Sequence, residues 1–220
     1  MKSKLVPTLD LSQGIEVNLD AAAQEWLRRH HSPVGTNPLL EPECAGAMVS
    51  ELHRSHGASF SYGGYLEDRS HLLRGTYLDE AGGYLHLGID INAPEGTPVH
   101  APYDAVVCDV FDDRGTPQGW GPRLILEPED LSCPLLVLGH LTTSSFKRGD
   151  RVRAGEALAA IGAPPKNGGW FPHLHVQQIA RSAVPEHQRD EFASLDGYGH
   201  ARDIAALRER YPDPQWLLRG

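Results

Sequence analysis

Two short histidine motifs contain the residues best suited to metal chemistry. His86 is followed four positions later by Asp90, and His173 is followed two positions later by His175. Side chains on a β-strand point to the same face at every second residue, so strands over these motifs would present each pair to one side. Nitrogen and oxygen donors that converge on a cleft are typical of a catalytic zinc site, which has three protein ligands and one open position.

The order of these motifs resembles that of the lysostaphin-type (LytM-like) zinc metalloendopeptidases, a family that includes many peptidoglycan-cutting enzymes. The family pattern has a His-x-x-x-Asp motif, a central histidine and a His-x-His motif, and the central histidine here is His140. The segments 93–102 and 149–162 also resemble strands and turns of that family. The resemblance covers roughly residues 84–180.

This resemblance implies a zinc ion bound by His86, Asp90 and His175, with His140 and His173 as catalytic residues. An imidazole that titrates near neutral pH is suited to carry a proton from water to a leaving amine. Which of the two histidines is the base and which the acid stays open. The implied function is a zinc-dependent hydrolase, most simply an endopeptidase that cleaves a peptide or peptidoglycan-type amide bond with metal-activated water.

Other classes of function remain open. An inactive or non-peptidase relative could keep the fold and serve as a zinc-containing binding or carrier module. Lipoyl- or biotinyl-type carriers have a similar sandwich but need an exposed hairpin lysine, which is not evident at Lys2, Lys4, Lys147 or Lys166. A sugar-transport phosphocarrier of similar architecture uses paired histidines but has no need of Asp90 as a metal ligand.

The chain departs from the family pattern near its motifs. Gly139 stands where an aromatic residue or alanine is common before the central histidine, and Val176 and Gln177 replace the Phe-Glu that commonly follows His-Leu-His. None of these residues is a ligand, so we expect them to change the substrate groove and not the metal site. Three aromatic residues of predicted loops either pack locally or wall a substrate cleft: Trp120, Trp170 and Phe171.

Short apolar runs punctuated by Gly and Pro predict a mainly β fold. They favour an antiparallel β-sandwich or barrel-like hybrid core with N-terminal and C-terminal helical decorations. In the strand predicted over 104–111, strict alternation would place Val106, Cys108 and Val110 on one face. The strands are predicted at 85–91, 98–100, 104–111, 123–126, 135–138 and 174–179.

Helical patterns flank this core. Residues 19–27 and 45–52 have the apolar spacing of amphipathic helices, and a further helix is predicted over 201–210. We therefore divide the chain into an N-terminal extension packed on the core (1–80), a zinc metallopeptidase-like β domain (81–182) and a C-terminal loop and helix (183–220). The pattern at 59–83 predicts no element. Because this stretch leads to His86, it either borders the cleft and restricts access or covers a sheet edge.

Composition limits the partners and the compartment. A formal net charge of -9 argues against a nucleic-acid partner, and the sequence has no apolar run near the roughly 18 residues that a membrane span needs. No signal peptide is visible, and three widely spaced cysteines suit reduced thiols. We expect a cytoplasmic protein, extracytoplasmic only if the chain is truncated, that acts on a peptide or peptidoglycan fragment. Residues 167–175 also resemble cytosolic-looking peptidase-like domains fused to aminotransferase-like enzymes. The sequence predicts no oligomeric state.

Overall fold

A computed structural model describes residues 3–33, 35–184, 192 and 195–219. Its helices are α1 (Leu19–Arg29), α2 (Pro42–His56), α3 (Leu78–Ala81) and α4 (Ile204–Arg210). Its strands are β1 (Gly14–Glu16), β2 (Phe60–Gly63), β3 (Leu85–His86), β4 (Ile89–Asn92), β5 (Pro98–His100), β6 (Ala105–Asp112), β7 (Pro122–Pro128), β8 (Leu135–Gly139), β9 (Arg151–Val152), β10 (Ala157–Ala160), β11 (Leu174–Ile179) and β12 (Tyr198–Gly199). None of the helices in these ranges has the length and apolar character needed to cross a membrane.

The main sheet has eight strands in the order β1-β2-β4-β11-β8-β7-β6-β9. Its pairs are antiparallel except for β1 with β2. The antiparallel pair β5–β10 packs against one face, where Val99 and Leu158 join Ile91, Leu126 and Leu138 in the main core. The predicted mainly β core with helical decorations is therefore confirmed.

The N-terminal helices form at the places that the apolar spacing predicts. The Asn18 side chain caps α1 by accepting a hydrogen bond from the Ala21 amide at 2.7 Å. Pro42 begins α2, and Gly57 ends it in the left-handed region with φ of 63°. Helices of this length are marginal alone in water, and burial of their apolar faces stabilises them. The buried residues form what we call the N-terminal apolar cluster: Leu19, Ala23, Trp26, Leu39, Ala45, Met48, Val49, Leu72, Leu73, Leu78 and Phe171.

The single strand predicted over 85–91 is wrong, because the chain breaks there into β3 and β4. His86 lies on β3, which pairs with β12, whereas Asp90 lies on β4 in the main sheet. Gly88 stands at the break, where a Cβ atom would lie 2.4 Å from the Val176 carbonyl oxygen. Only glycine permits this close approach to β11. The alternation of a single strand therefore does not bring His86 and Asp90 together.

Three other regions differ from the sequence prediction. In β6 a register shift between Val107 and Asp109 breaks the alternation, so Cys108 is buried while Val110 is 40% exposed. The unassigned stretch 59–83 forms β2, which pairs with β4, and the short helix α3. The predicted helix at 201–210 begins as a 3₁₀ turn, and α4 starts at Ile204. The loop expected over 181–199 falls partly outside the described residues, and β12 lies at its end.

Candidate metal centre and its cavity

Two of the predicted ligands are cross-strand partners in the main sheet. His175 on β11 is paired directly with Asp90 on β4. Their neighbours Leu174 and Ile91 belong to the main core, so alternation turns His175 and Asp90 to the opposite face. His175 Nδ1 lies 3.2 Å from Asp90 Oδ1. Sheet register therefore fixes this half of the site.

His86 reaches the same point from the separate strand β3. Its Nε2 lies 2.9 Å from His175 Nδ1 and 3.4 Å from Asp90 Oδ1. All three side chains are buried, and one candidate ligand atom from each lies within 4.8 Å of the others. In a tetrahedral zinc site, bonds of about 2.0–2.2 Å separate neighbouring ligand atoms by about 3.3–3.6 Å. The three separations are 2.9, 3.2 and 3.4 Å, so one lies within this range and the other two are shorter by 0.4 Å or less.

Hydrogen bonds on the outer side of the rings determine where the protons lie. His86 Nδ1 is 3.0 Å from the Gly64 carbonyl oxygen, which can only accept, so Nδ1 carries the proton. Gln177 donates through its amide nitrogen to the Asp196 carbonyl and accepts through Oε1 from His175 Nε2 at 3.0 Å. The His86 ring therefore turns its Nε2 lone pair inward. His175 Nδ1 lies 2.9 Å from this nitrogen and 3.2 Å from Asp90 Oδ1, so three donor atoms converge on one point where a divalent cation would take the place of a proton.

The remaining two predicted site residues lie beside the three donors. His173 Nε2 is 3.8 Å from Asp90 Oδ1, and the rings of His140 and His173 have centroids 4.4 Å apart. His140 Nδ1 donates to the Asn167 carbonyl at 2.9 Å. His173 Nδ1 donates to the Phe171 carbonyl at 2.8 Å. In both neutral rings the lone pair therefore lies on Nε2, so each ring can accept a proton there.

Burial and charge set the protonation states of these groups. Burial lowers the pKa of His86 to about 3, and burial also lowers the pKa values of His140 and His173. Burial alone would raise the pKa of Asp90, but His86, Arg69 and His173 hold it well below its usual range. The centre thus combines a neutral His86 imidazole with an ionised Asp90 carboxylate, and two histidines with one carboxylate form a donor set that zinc binds.

Arg69 is a site residue that no sequence pattern indicated. Its Nη1 forms an ion pair with Asp90 Oδ2, and its Nε lies 3.2 Å from Glu67 Oε1. All three side chains are nearly inaccessible to solvent. Arg69 thus holds the Asp90 oxygen that faces away from the histidines, and Oδ1 is left toward them. Groups behind the ligands orient them and tune metal affinity in this way.

Two departures from the family pattern have a structural reason here. Gly139 lies opposite His175 in the sheet, and a Cβ atom there would come within 2.8 Å of Trp120 Cε3. The glycine therefore makes room for the Trp120 ring beside the site. Gln177 is the partner of His175 described above. Gln177 lies two residues after His175 and therefore on the same face of the strand, so alternation could have predicted that it lies next to His175.

Four of the five site residues line a cavity of about 290 Å³: Asp90, His140, His173 and His175. His86 lies behind them and is not part of the lining. Trp120, Trp170 and Phe171 all line it, which favours the cleft-wall interpretation of these aromatic side chains. Arg69, Leu72 and other residues of the N-terminal extension line it as well. In the stretch 59–83, β2 covers the edge of β4 and residues after it border the cavity. That this stretch restricts access to the cleft stays a prediction.

Residues 84–185 match the model of Peptidase family M23. The chain is 34% identical over 93 residues to the DD-carboxypeptidase/endopeptidase Mpg of Neisseria meningitidis. The matched residues are 42% of this chain and 20% of the relative. The chain thus spans about a fifth of the length of the curated relatives it matches.

Solved structures with similarity include two peptidases. A zinc-containing peptidase from Vibrio cholerae is 28% identical, with a TM-score of 0.37, over 44% of this chain and 28% of that one. The catalytic domain of the antimicrobial peptidase lysostaphin from Staphylococcus simulans is 21% identical, with a TM-score of 0.39. That match covers 57% of this chain and 80% of the lysostaphin domain. The sequence match over 84–185 supports peptidase family M23 as the family of the segment that contains the five site residues.

Proposed function

We propose that the protein is a zinc-dependent hydrolase of peptide bonds. The observation that carries this proposal is the inward-facing set of donors. His86 Nε2, His175 Nδ1 and Asp90 Oδ1 lie 2.9–3.4 Å from one another, an arrangement that suits a divalent cation. Two imidazoles and one carboxylate match the ligand set of catalytic zinc.

His140 and His173 supply the proton transfers in this proposal. Bound zinc would activate water and polarise the carbonyl of the bond to be cleaved. The unprotonated Nε2 of either histidine can take a proton from the attacking water, and the protonated ring can deliver it to the leaving amine. Their Nδ1 protons are held by main-chain carbonyls, so both rings keep one orientation through the reaction.

The proposed substrate is a peptide or a peptidoglycan fragment. The name of the Neisseria relative, a DD-carboxypeptidase/endopeptidase, supports peptide-bond chemistry for the matched segment. Hydrolysis of peptidoglycan fragments, oligoglycine and ordinary peptides by the zinc-loaded protein would test the substrate class. Chelation should abolish the hydrolysis, and added zinc should restore it.

Metal analysis tests the ligands directly. Wild type should bind one zinc ion per chain, and His175→Ala should lose it. His56→Ala is the matched control, because His56 is an exposed histidine of α2. Equal metal content in wild type and His175→Ala would contradict the site. Zinc binding without hydrolysis of any of these substrates would favour a zinc-containing binding module.

A further inference from the structure

The cavity beside the metal centre has a second, apolar part. Its lining includes five members of the N-terminal apolar cluster, which contact one another as a continuous group: Leu39, Ala45, Leu72, Leu73 and Phe171. Of these only Phe171 lies within the segment that matches family M23. The extension before residue 84 therefore builds most of this apolar wall.

Hydrogen bonds hold the two loops of the wall in place. Asn37 accepts a hydrogen bond from the Leu39 amide and donates to the carbonyls of His71, Leu72 and Arg74 at 2.9–3.3 Å. These bonds join the loop before α2 to the loop that follows Arg69. The wall is thus ordered by polar contacts of its own, and a ligand that enters needs little reorganisation of the chain.

The charges that line the cavity are already paired. Arg69 lies against Asp90 and Glu67, and Asp90 also faces the histidines. Only Arg69 Nη2, which packs beside Gly64, has no hydrogen-bond partner among these groups. A charged substrate side chain that entered the apolar part would lose its hydration without gaining a partner, which is costly. An apolar side chain would instead leave water for a surface of leucine and aromatic groups. The cavity thus favours one chemical class of occupant.

We propose that this apolar part is a specificity site for a bulky apolar side chain of the substrate, of the size of leucine or phenylalanine. This inference rests on the proposed function, because it assigns the side chain to a substrate residue within two positions of the cleaved bond. The Phe171 ring of the wall has its centroid 4.8 Å from that of His173, and one residue of extended chain spans about 3.3–3.6 Å. Such a residue therefore reaches the wall while its peptide bond lies at the histidines. Glycine and alanine leave the wall exposed to water.

The kinetic test uses one parent peptide varied at a single position near the cleaved bond. With zinc-loaded protein, kcat/KM should be about 10-fold or more higher for leucine or phenylalanine than for glycine, aspartate or lysine. Equal kcat/KM across the series would overturn the specificity site and leave the proposed function standing. Cleavage of no peptide at all would count against the proposed function.

A substitution at the mouth of the cavity sharpens the test. Leu40 lines the cavity and is partly exposed, so Leu40→Asp should fold while placing a carboxylate against the incoming side chain. We expect the leucine-over-glycine preference to fall about 10-fold. Leu131→Asp is the control, since Leu131 is 76% exposed and is not part of the cavity lining.

A binding measurement keeps the inference testable without catalysis. The fluorescence of Trp120 and Trp170, which both line the cavity, should respond when the metal-free protein is titrated with the leucine and glycine peptides. The leucine peptide should bind about 10-fold more tightly, and Leu40→Asp should remove that difference. Equal affinities in wild type would overturn the specificity site even if the protein proves to be an enzyme.

Discussion

The β unit and the N-terminal extension contribute to one site by different physical means. In the β unit, pairing of β4 with β11 sets Asp90 opposite His175, so register alone determines their separation. The extension also pairs with the sheet, since Gly63 of β2 lies opposite Asp90, but the groups that it directs at the site come from the loop after β2. It approaches through the loop 64–69, whose Gly64 carbonyl accepts from His86 and whose Arg69 holds Asp90.

The comparison separates donors from the groups that orient them. The sheet supplies most of the atoms that would touch zinc, whereas the extension fixes the proton on His86 and the free oxygen of Asp90. The extension also supplies most of the apolar wall. If this division is right, substitutions in the two regions should have distinct consequences for stability, metal binding and turnover.

The largest effect is expected at Arg69, where the two regions meet. Arg69→Ala would leave Asp90 and Glu67 buried without their cation, so the free energy of unfolding of the metal-free protein should fall by about 3–5 kcal/mol. Added zinc should recover part of this loss, because a cation would again lie next to Asp90. Denaturant unfolding with and without zinc measures both changes.

A surface ion pair provides the control for Arg69. Arg28 pairs with Glu25 on α1 at 2.7 Å, with the two side chains 71% and 51% exposed. Arg28→Ala should therefore change the free energy of unfolding far less than Arg69→Ala, because solvent screens an exposed ion pair. If Arg69→Ala were as mild as Arg28→Ala, the extension would not support the centre through this ion pair.

Within the β unit, His140 and His173 should separate chemistry from metal affinity. Substituting either by Ala should leave most of the zinc bound and lower turnover by about 100-fold or more. Steady-state kinetics and metal analysis on the same samples check this. Loss of zinc in His173→Ala with retention in His175→Ala would show that the roles within the His-x-His motif are exchanged.

The two regions also differ in how far sequence could predict them. Period-two alternation predicted one face for His173 and His175, and both residues line the cavity, with His173 directly before β11. The same reasoning was wrong for His86, because the break at Gly88 puts His86 on another strand. Arg69 could not be found at all. It lies in a loop without periodicity, and its contact with Asp90 depends on how that loop crosses the sheet edge.

The bulge in β6 and the role of Gly139 were hidden for a related reason. An alternating apolar pattern does not show where a β-bulge sets two residues of one strand opposite one residue of its partner. The sequence therefore did not indicate the burial of Cys108 or the exposure of Val110. In the sequence, Gly139 is only a departure from a motif. Its reason is the contact with Trp120, nineteen residues earlier, whose ring leaves no room for a Cβ atom at this position. Both features depend on contacts between segments distant in sequence.

The smallest predicted effect is a pH dependence of stability that arises in the β unit. Burial lowers the pKa values of His86, His140 and His173, whereas in the unfolded chain they titrate near about 6.5. Below that pH the unfolded state binds more protons than the folded state. The stability from keeping these rings neutral is therefore complete above about pH 6.5 and is lost as the pH falls toward the folded-state pKa values.

Urea unfolding of the metal-free protein between pH 7 and pH 5 measures this loss. Each of these buried histidines contributes at most about 1.36 kcal/mol per pH unit in that range. Asp90 adds nothing there, because its pKa lies well below the ordinary value of 3.8. The double variant His140→Gln, His173→Gln removes two of the three groups, so its unfolding free energy should fall less steeply with acidification. An equal slope in wild type and the double variant would mean that these two rings are not held neutral by burial, and the proton-transfer role proposed for them would lose its physical basis.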